Sequence, residues 1–385
     1  MATDGDIRDE LIATVRRFVG KDVLPVASEM EHADEYPAAI VATMAELGLF
    51  GVTIPEAYGG LGLDLLTYIG VIEELAAGWM SLSGIVNTHV MAANLLKMQG
   101  TEDQKQRWLP RLATAEIRGC LSLSEPDAGT DTSALKCRAV RDGDEYVITG
   151  TKTWVTNGQR AGLIALAVRT DEGITCLMVE KEPGVDHSGG ITVSKNIPKL
   201  GYKGLETVEM SYDGHRVPAD CVLGGEAGLG RGQHFILSAL EVGRINIAAR
   251  SVGVGRAAFE AALAYAQQRE TFGKPIAQHQ AIQLKLADMA TKLEAARLLT
   301  QSAAKKKDAD ERCDVEAGMA KLFASEAAFE IATDAMRIHG GVGYTTELPI
   351  ERYYRDAPLM LIGEGTNEIQ RIVIARGLLA RHPLE

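Results

Sequence analysis

The sequence predicts a multidomain α+β fold: an N-terminal helical domain, a middle β-barrel or sandwich domain, and a C-terminal four-helix bundle. Three observations predict it. Apolar residues recur at helical spacing up to about residue 117 and again from about residue 232. Between those stretches the apolar runs are short, β-rich and broken by turn residues. Four long helical segments then follow one another with short connections, the pattern of a bundle. The expected units are residues 1–118, 119–231 and 232–385.

Taken in order, Ile7, Leu11, Ile12, Val15, Phe18 and Val19 form one helical stripe. Residues 37–47 predict a second helix ending near Gly48, followed by a glycine-rich loop over 55–62. Helices are expected over 65–77, 81–98 and 102–118. In the middle unit, runs 135–141 and 145–149 flank Asp142-Gly143-Asp144, a hairpin signal. Runs 163–169 and 174–179 flank Thr170-Asp171-Glu172-Gly173, a second hairpin. Residues 207–212 alternate Val208 and Met210 with polar positions, as a half-buried strand does. The bundle helices are read over 233–270, which contains no proline, and over 276–306, 315–338 and 366–381.

A chain of 385 residues can bury a sizeable core in two or three domains. Its net charge of −12 argues against nucleic acid as a partner. The run Lys305-Lys306-Lys307 reads as a solvated helix end that complements the helix dipole. Five cysteines without a C-x-x-C pair predict reduced, mostly buried thiols in a cytoplasmic protein. No His/Cys cluster has metal-ligand spacing, so no metal is expected. The start Met1-Ala2-Thr3-Asp4-Gly5-Asp6 is acidic with no apolar signal core, and no apolar run is long enough to span a membrane.

Several stretches carry residues suited to chemistry. Glu364 stands between Gly363 and Gly365, after the apolar run Leu359-Met360-Leu361-Ile362, read as extended. Flanking glycines let a ligand approach closely. The amides of Gly365 and Thr366 would be free donors at a helix start, suited to an oxygen gaining negative charge. A carboxylate among apolar residues has a raised pKa and is a stronger base. Taken alone, a solvent-facing glutamate in a glycine-rich turn is the simpler reading.

The segment Leu121-Ser122-Leu123-Ser124-Glu125-Pro126-Asp127-Ala128-Gly129-Thr130-Asp131-Thr132 offers amides and hydroxyls for a phosphate or the polar edge of a planar ring, or is simply a tight turn. Trp154-Val155-Thr156-Asn157-Gly158 offers a flat aromatic beside a hydroxyl, or a half-buried core tryptophan. Arg269 could clamp a pyrophosphate, or be a helix-end cation. Ile338-His339-Gly340-Gly341-Val342-Gly343-Tyr344 permits close backbone approach, or only stops a helix.

In this order and on this architecture, these stretches resemble the acyl-CoA dehydrogenase family over essentially the whole chain. The most specific matches are Leu123-Ser124-Glu125-Pro126-Asp127-Ala128-Gly129-Thr130-Asp131, Trp154-Val155-Thr156-Asn157-Gly158, Arg269-Glu270-Thr271-Phe272-Gly273, Tyr354-Arg355-Asp356-Ala357 and Glu364-Gly365-Thr366-Asn367-Glu368-Ile369. The resemblance implies FAD as cofactor, its flavin cradled by Leu121, Leu123, Ser124, Gly129, Thr130, Trp154, Val155 and Thr156, with Thr156 near the hydride-accepting nitrogen. It implies that Arg269 and Gln280 hold the pyrophosphate across a subunit interface. Arg337, Gly340, Gly341, Thr366 and Glu368 complete that site, and the assembly is a homotetramer. Thr130, Glu241, Arg244 and Gly365 are implied to contact the acyl-CoA. Glu364 is implied to remove the α proton while the β hydrogen leaves as hydride, giving the trans-2-enoyl-CoA. The Glu364 amide and a flavin ribityl hydroxyl would bond the thioester oxygen, and electrons would pass to an electron-transfer flavoprotein.

Two positions depart from the family pattern. A tyrosine often precedes the catalytic glutamate, and here Gly363 leaves space near the thioester. Some branched-chain members carry the base on the long helix directly before an arginine. The matching pair here is Gly243-Arg244, so Glu364 remains the candidate base. An oxidase using oxygen on the same scaffold is a second reading. A degenerate CoA-ester-binding subunit is a third, disfavoured by the presence of Glu364 and Arg269.

Overall fold

A computed structural model describes residues 4–383. Met1, Ala2 and Thr3 of the acidic start and the last two residues of the 232–385 unit lie outside the described residues. The chain opens with α1 (Asp4–Phe18), which passes through a π-helical stretch, Val19–Val23, into α2 (Leu24–His32). Then come α3 (Ala38–Glu46), α4 (Leu65–Gly78), α5 (Met80–Gln99) and α6 (Glu102–Ala113). Asp64 caps α4 by accepting from the Thr67 amide, and Thr101 with Gln104 forms a capping box on α6. No separate helix is expected at α2, which buries only Ala27 and Glu31, too few for a readable stripe. The helix expected to reach residue 118 stops at Ala113, and Ala115 takes a left-handed φ of 58°.

The middle unit holds β1 (Gly119–Ser122), β2 (Arg138–Asp142), β3 (Glu145–Thr156), β4 (Leu163–Thr170), β5 (Gly173–Glu180), β6 (His187–Ser188), β7 (Ile191–Val193) and β8 (Thr207–Pro218). They form one sheet that curls around its own core. β4 pairs antiparallel with β5 on one edge and parallel with β1, then β2, on the other. The sheet continues through β3, β8, β7 and β6. Strand alternation is clear in β4. Ile164, Leu166 and Val168 enter the β core, while Leu163, Ala165 and Ala167 pack with α5, α6 and the start of the long helix that follows.

The C-terminal unit contains α7 (Gly232–Gln268), the short hairpin β9 (Glu270–Thr271) and β10 (Lys274–Pro275), α8 (Gln280–Asp308), α9 (Asp314–His339), α10 (Ile350–Ile362) and α11 (Asn367–Arg381). At 1.5 Å per residue α7 runs about 55 Å, the spine against which α4, α5, α8, α9 and α10 pack. Its contact with α9 is lined by alanines, including Ala248, Ala258, Ala262, Ala324, Ala328 and Ala335. A Cβ on Gly255 would already touch the Ala328 backbone at 3.6 Å. The expected four bundle helices are α7, α8, α9 and α11, and α10 is an addition. The run Leu359-Met360-Leu361-Ile362 ends that helix rather than being extended, with Pro358 inside it. Ile350, Tyr353, Ala357 and Met360 are its buried face at helical spacing; a four-residue apolar run cannot reveal that period. Among the described residues, no helix is long and apolar enough to cross a membrane.

Candidate active site

Glu364 sits in the turn between α10 and α11 with φ of 56°, followed by Gly365 at 89°. Left-handed backbone at a glutamate costs energy and persists only where neighbours enforce it. Two side chains do so here. Gln370 Nε2 donates to the Glu364 carbonyl at 3.3 Å and to the Gly365 carbonyl at 3.0 Å. Lys321, buried on α9, donates Nζ to the Leu361 carbonyl at 3.1 Å and to Asn367 Oδ1 at 2.6 Å. Among the described residues, the amides of Glu364, Gly365 and Thr366 bond no acceptor, so all three remain donors. The carboxylate rests in a notch of α7, since a Cβ on Gly243 would lie 2.7 Å from Glu364 Oε2. Burial pushes the Glu364 carboxyl above its ordinary range, against the opposing pull of Arg250, the Asn87 hydrogen bond, Arg244 and Lys321. Burial likewise pushes the Lys321 ammonium down to about 8.

Three consecutive residues of α5 tie Glu364 to the β unit. Asn87 Nδ2 donates to Glu364 Oε1 at 3.2 Å. Thr88 Oγ1 donates to the Thr156 carbonyl at 3.5 Å and accepts from the Leu121 amide at 3.4 Å. His89 Nδ1 accepts from the Gly119 amide at 3.1 Å. Burial, with Arg118 nearby, holds the His89 imidazole down at about 3, so it is neutral and free to accept.

The turn after β1 is anchored from below by a buried ion pair. Lys152 Nζ lies 2.8 Å from Glu125 Oε1 and donates to the Leu123 carbonyl at 2.9 Å. Glu125 also accepts from the amides of Lys136 and Cys137 at 2.7 and 2.9 Å. The Thr153 amide donates to the Ser124 carbonyl at 2.9 Å, which sets Ser124 beside the residue preceding Trp154. Gln233 Nε2 at the start of α7 reaches Thr132 Oγ1 at 3.2 Å. Trp154 itself stands on an irregularity of the β3–β8 ladder, at φ 58° and 62 % exposed. It is therefore not a half-buried core tryptophan. An indole held out on strained backbone, beside a turn with exposed Gly129 and Thr130, offers a face on which a flat ligand can stack. The Val155 side chain, by contrast, is packed in the β core, so any contact it offers is through backbone.

The remaining sequence-derived residues fall into two other places. Arg269, Gln280, Arg337, Gly340 and Gly341 are all exposed, at the end of the bundle where α7 and α9 stop. Tyr265 stacks on His339 with ring centres 4.4 Å apart, which brings those two helix ends together. Among the described residues, no hydrogen bond or ion pair joins this group to the Trp154 platform. Near Glu364, Arg244 is buried with its Nε unpartnered, and burial lowers its pKa against the pull of Glu364 and Glu241. Glu241 is engaged by Lys307 at 2.8 Å. Thr366 caps α11 by accepting from the Ile369 amide, and exposed Glu368 sits in that first turn.

Sequence reasoning missed Asn87, Thr88, Lys321 and Lys152. A signal existed for the first two: α5 places Asn87, Thr88, His89 and Asn94 in the middle of a largely apolar helix whose only charge is Lys97. Tyr354-Arg355-Asp356-Ala357 proves to be a brace. Arg355 grips Glu31 at 2.6 Å and Glu351 at 2.6 Å, and Asp356 accepts from the Tyr202 amide at 2.6 Å. Glu31, His32 and Glu351 lie within 4.8 Å of one another, but their carboxylates already serve Arg355. The open cleft between α1, α4, α7 and α8 is lined by Glu73, Glu74, Arg256 and Arg297, which pair with each other.

Three family descriptions match in succession: the N-terminal, middle and C-terminal domains of acyl-CoA dehydrogenases, over residues 6–116, 120–215 and 230–379. The mitochondrial short-chain specific acyl-CoA dehydrogenase of Bos taurus is 42 % identical over 373 residues, covering 95 % of this chain and 88 % of its own. The (2S)-methylsuccinyl-CoA dehydrogenase of Cereibacter sphaeroides is 41 % identical over 384 residues, covering 97 % and 69 %. Among solved structures, butyryl-CoA dehydrogenase from Megasphaera elsdenii superimposes with a TM-score of 0.93 at 35 % identity, covering 98 % of this chain and 99 % of that one.

Proposed function

This chain belongs to the acyl-CoA dehydrogenase family and is an FAD-dependent acyl-CoA oxidoreductase, and from that premise we propose how its residues divide the work. Glu364 removes the α proton of the bound thioester. The observation that carries this is the carboxylate's place in the Gly243 notch, with its proton affinity raised by burial. Asn87 aims the carboxylate, and Gln370 and Lys321 hold its turn. The unpartnered amide of Glu364 receives the thioester oxygen as the α carbon loses its proton. FAD supplies the acceptor for the β hydrogen, which leaves with its electron pair, so a trans-2-enoyl-CoA remains. The Leu121–Thr132 turn, Trp154 and Thr156 hold the flavin, on the support of the exposed indole and of the Lys152–Glu125 anchor beneath it. Thr130, Arg244 and Gly365 face the acyl-CoA. Glu241 acts on the same site through its charge on Arg244.

Arg269, Gln280, Arg337, Gly340, Gly341, Thr366 and Glu368 complete FAD binding across an interface between copies of this chain, in a homotetramer. The three units run 1–118, 119–231 and 232–385, and an electron-transfer flavoprotein takes the electrons onward. The named relatives act on short-chain, methylsuccinyl and butyryl thioesters, so membership alone leaves the acyl group open.

The test is stopped-flow bleaching of the flavin by acyl-CoA. Glu364→Gln keeps shape but cannot take the proton, and the rate should fall about 10²–10⁴-fold with FAD still bound. Rapid bleaching by the variant would remove Glu364 from the chemistry. The sign of the pH dependence follows from burial. A raised carboxyl pKa keeps Glu364 protonated further up the scale, so activity falls with decreasing pH above the ordinary carboxylate range.

A further inference from the structure

Beside Glu364, α7 carries a charge that a hydrocarbon tail does not require. Arg250 is 2 % exposed. Its Nη2 donates to Asn246 Oδ1 at 3.0 Å, and its Nε meets no acceptor. Among the described residues no aspartate or glutamate is paired with it. Other buried cations are treated differently. Lys152 has Glu125 at 2.8 Å, and Arg256 has Glu73 and Glu74 at 3.0 and 2.9 Å. A buried guanidinium with only the longer-range pull of Glu364 and no carboxylate in contact is costly, and the cost is relieved when an anion binds it directly.

Its position ties it to the reacting centre. Residues 243, 246, 247 and 250 share one face of α7. That face begins at the Gly243 notch occupied by the Glu364 carboxylate and passes Ile247, whose Cδ1 lies 3.8 Å from where a Gly363 Cβ would stand. Arg250 follows about 10 Å along the axis from Gly243. Around it are polar groups. Its guanidinium carbon is 5.3 Å from the centre of the Tyr202 ring, and Asn246 Nδ2 donates to the Tyr68 hydroxyl at 2.9 Å. Tyr68 and Tyr202 are both buried, and Glu364 acts electrostatically on each of them.

We propose that the substrate is a short acyl-CoA whose acyl chain ends in a second, free carboxylate, and that Arg250 binds that carboxylate. This rests on Glu364 acting at the α carbon. With the α carbon there, the carboxylate of a four- or five-carbon diacid extends along the α7 face toward Arg250. The unpartnered Nε–H is left to donate to a carboxylate oxygen, and the Tyr202 hydroxyl, which is hydrogen-bonded to the same guanidinium, borders that place. Asn246 holds the other nitrogen, and the Tyr68 hydroxyl, already accepting from Asn246, has its proton left to give. The distal carboxylate takes no part in bond making or breaking.

The experiment compares succinyl-CoA and glutaryl-CoA with 4-methylpentanoyl-CoA and 5-methylhexanoyl-CoA, in which an isopropyl group replaces the carboxylate. The readout is kcat/KM for flavin bleaching, in the wild type, Arg250→Gln and Arg250→Lys. The wild type should favour the acids by at least about tenfold. Arg250→Gln should lose about 10–100-fold on the acids and little on the isopropyl thioesters, with partial recovery in Arg250→Lys. Calorimetric binding of the same thioesters to the inert Glu364→Gln protein should show the same order. A wild type that prefers the isopropyl thioesters overturns the inference. So does an Arg250→Gln protein that slows both classes equally, since Arg250 would then serve only to balance Glu364. If no thioester bleaches the flavin, the base assignment fails first, and unaltered binding preference in calorimetry separates the two outcomes.

Discussion

The middle of α7 and its C-terminal end are built by opposite rules. Around Gly243 and Arg250 the polar groups are buried, and Glu364 is held by side chains from α5, α9 and α11 of the same chain. Around Arg269 they are open. Phe272 is 97 % exposed and Tyr344 83 % exposed, and Leu284 on α8 is exposed as well. Large apolar side chains left in solvent at one end of a bundle mark a surface made to be covered. The contrast teaches that the candidate proton-transfer site is preorganised by contacts within one chain. The far end of the proposed cofactor site leaves its polar and apolar side chains in solvent.

The strongest way to break this contrast is to move the base. Glu364→Gly alone should slow flavin reduction about 10²–10⁴-fold. Adding Gly243→Glu should restore part of it, because a side chain at 243 starts 2.7 Å from the present carboxylate oxygen. Stopped-flow traces of the double variant no faster than those of Glu364→Gly would show that this face of α7 does not reach the α carbon. The next effect belongs to the open end. Arg269→Ala should weaken FAD retention about 10–100-fold by titration, with bleaching unchanged once FAD is saturating. Unchanged affinity would make Arg269 an ordinary helix-end cation.

A smaller effect sharpens the closed end. A Cβ on Gly363 would meet only the Leu359 carbonyl at 3.4 Å and Ile247 at 3.8 Å, at an ordinary φ of −62°. Gly363→Tyr should therefore fold and narrow the site, lowering kcat/KM for α-branched thioesters about tenfold relative to straight ones, on the scale of one lost apolar contact. Equal loss on both would detach Gly363 from selectivity. The smallest effect is at the surface of the same bundle. Glu316 binds Arg381 and Lys306, and the Arg381 hydrogen bond above all holds its carboxyl down at about 2. A depressed carboxyl contributes stability that is present above its ordinary 4.5 and lost as pH falls through about 2. After discounting for solvent, Glu316→Gln should cost about 1 kcal/mol at neutral pH by thermal unfolding, with no change in bleaching. The difference from wild type should shrink in acid across that window.

Much of the site could be read along the chain because its pieces are local. The Ser124-Glu125-Pro126 turn, Trp154 and the Glu364 turn are each short stretches whose residue types suit their backbone. What joins them is not local. Asn87 and Glu364 are 277 residues apart, and Lys152 and Glu125 are 27 apart. A lone asparagine in an apolar helix, or a lysine in a strand, carries no mark of its distant partner. The expected extended run before Glu364 failed for a related reason. Its four apolar residues fit either period, and the register of Ile350, Tyr353, Ala357 and Met360 against the core decides for helix.

By itself the sequence determined the order of the three units, the period of most of the longer elements and the identity of the candidate base, because helix stripes, strand alternation and glycine-flanked turns are written in neighbours. Only the tertiary structure decided that Glu364 lies in a notch of α7, that Asn87, Gln370 and Lys321 hold it there, and that Arg250 is buried nearby with no carboxylate in ion-pair contact. Burial and pairing are properties of contacts between segments far apart in the chain. They set a carboxylate's proton affinity and a guanidinium's need for a partner, and neither exists until the chain has closed on itself.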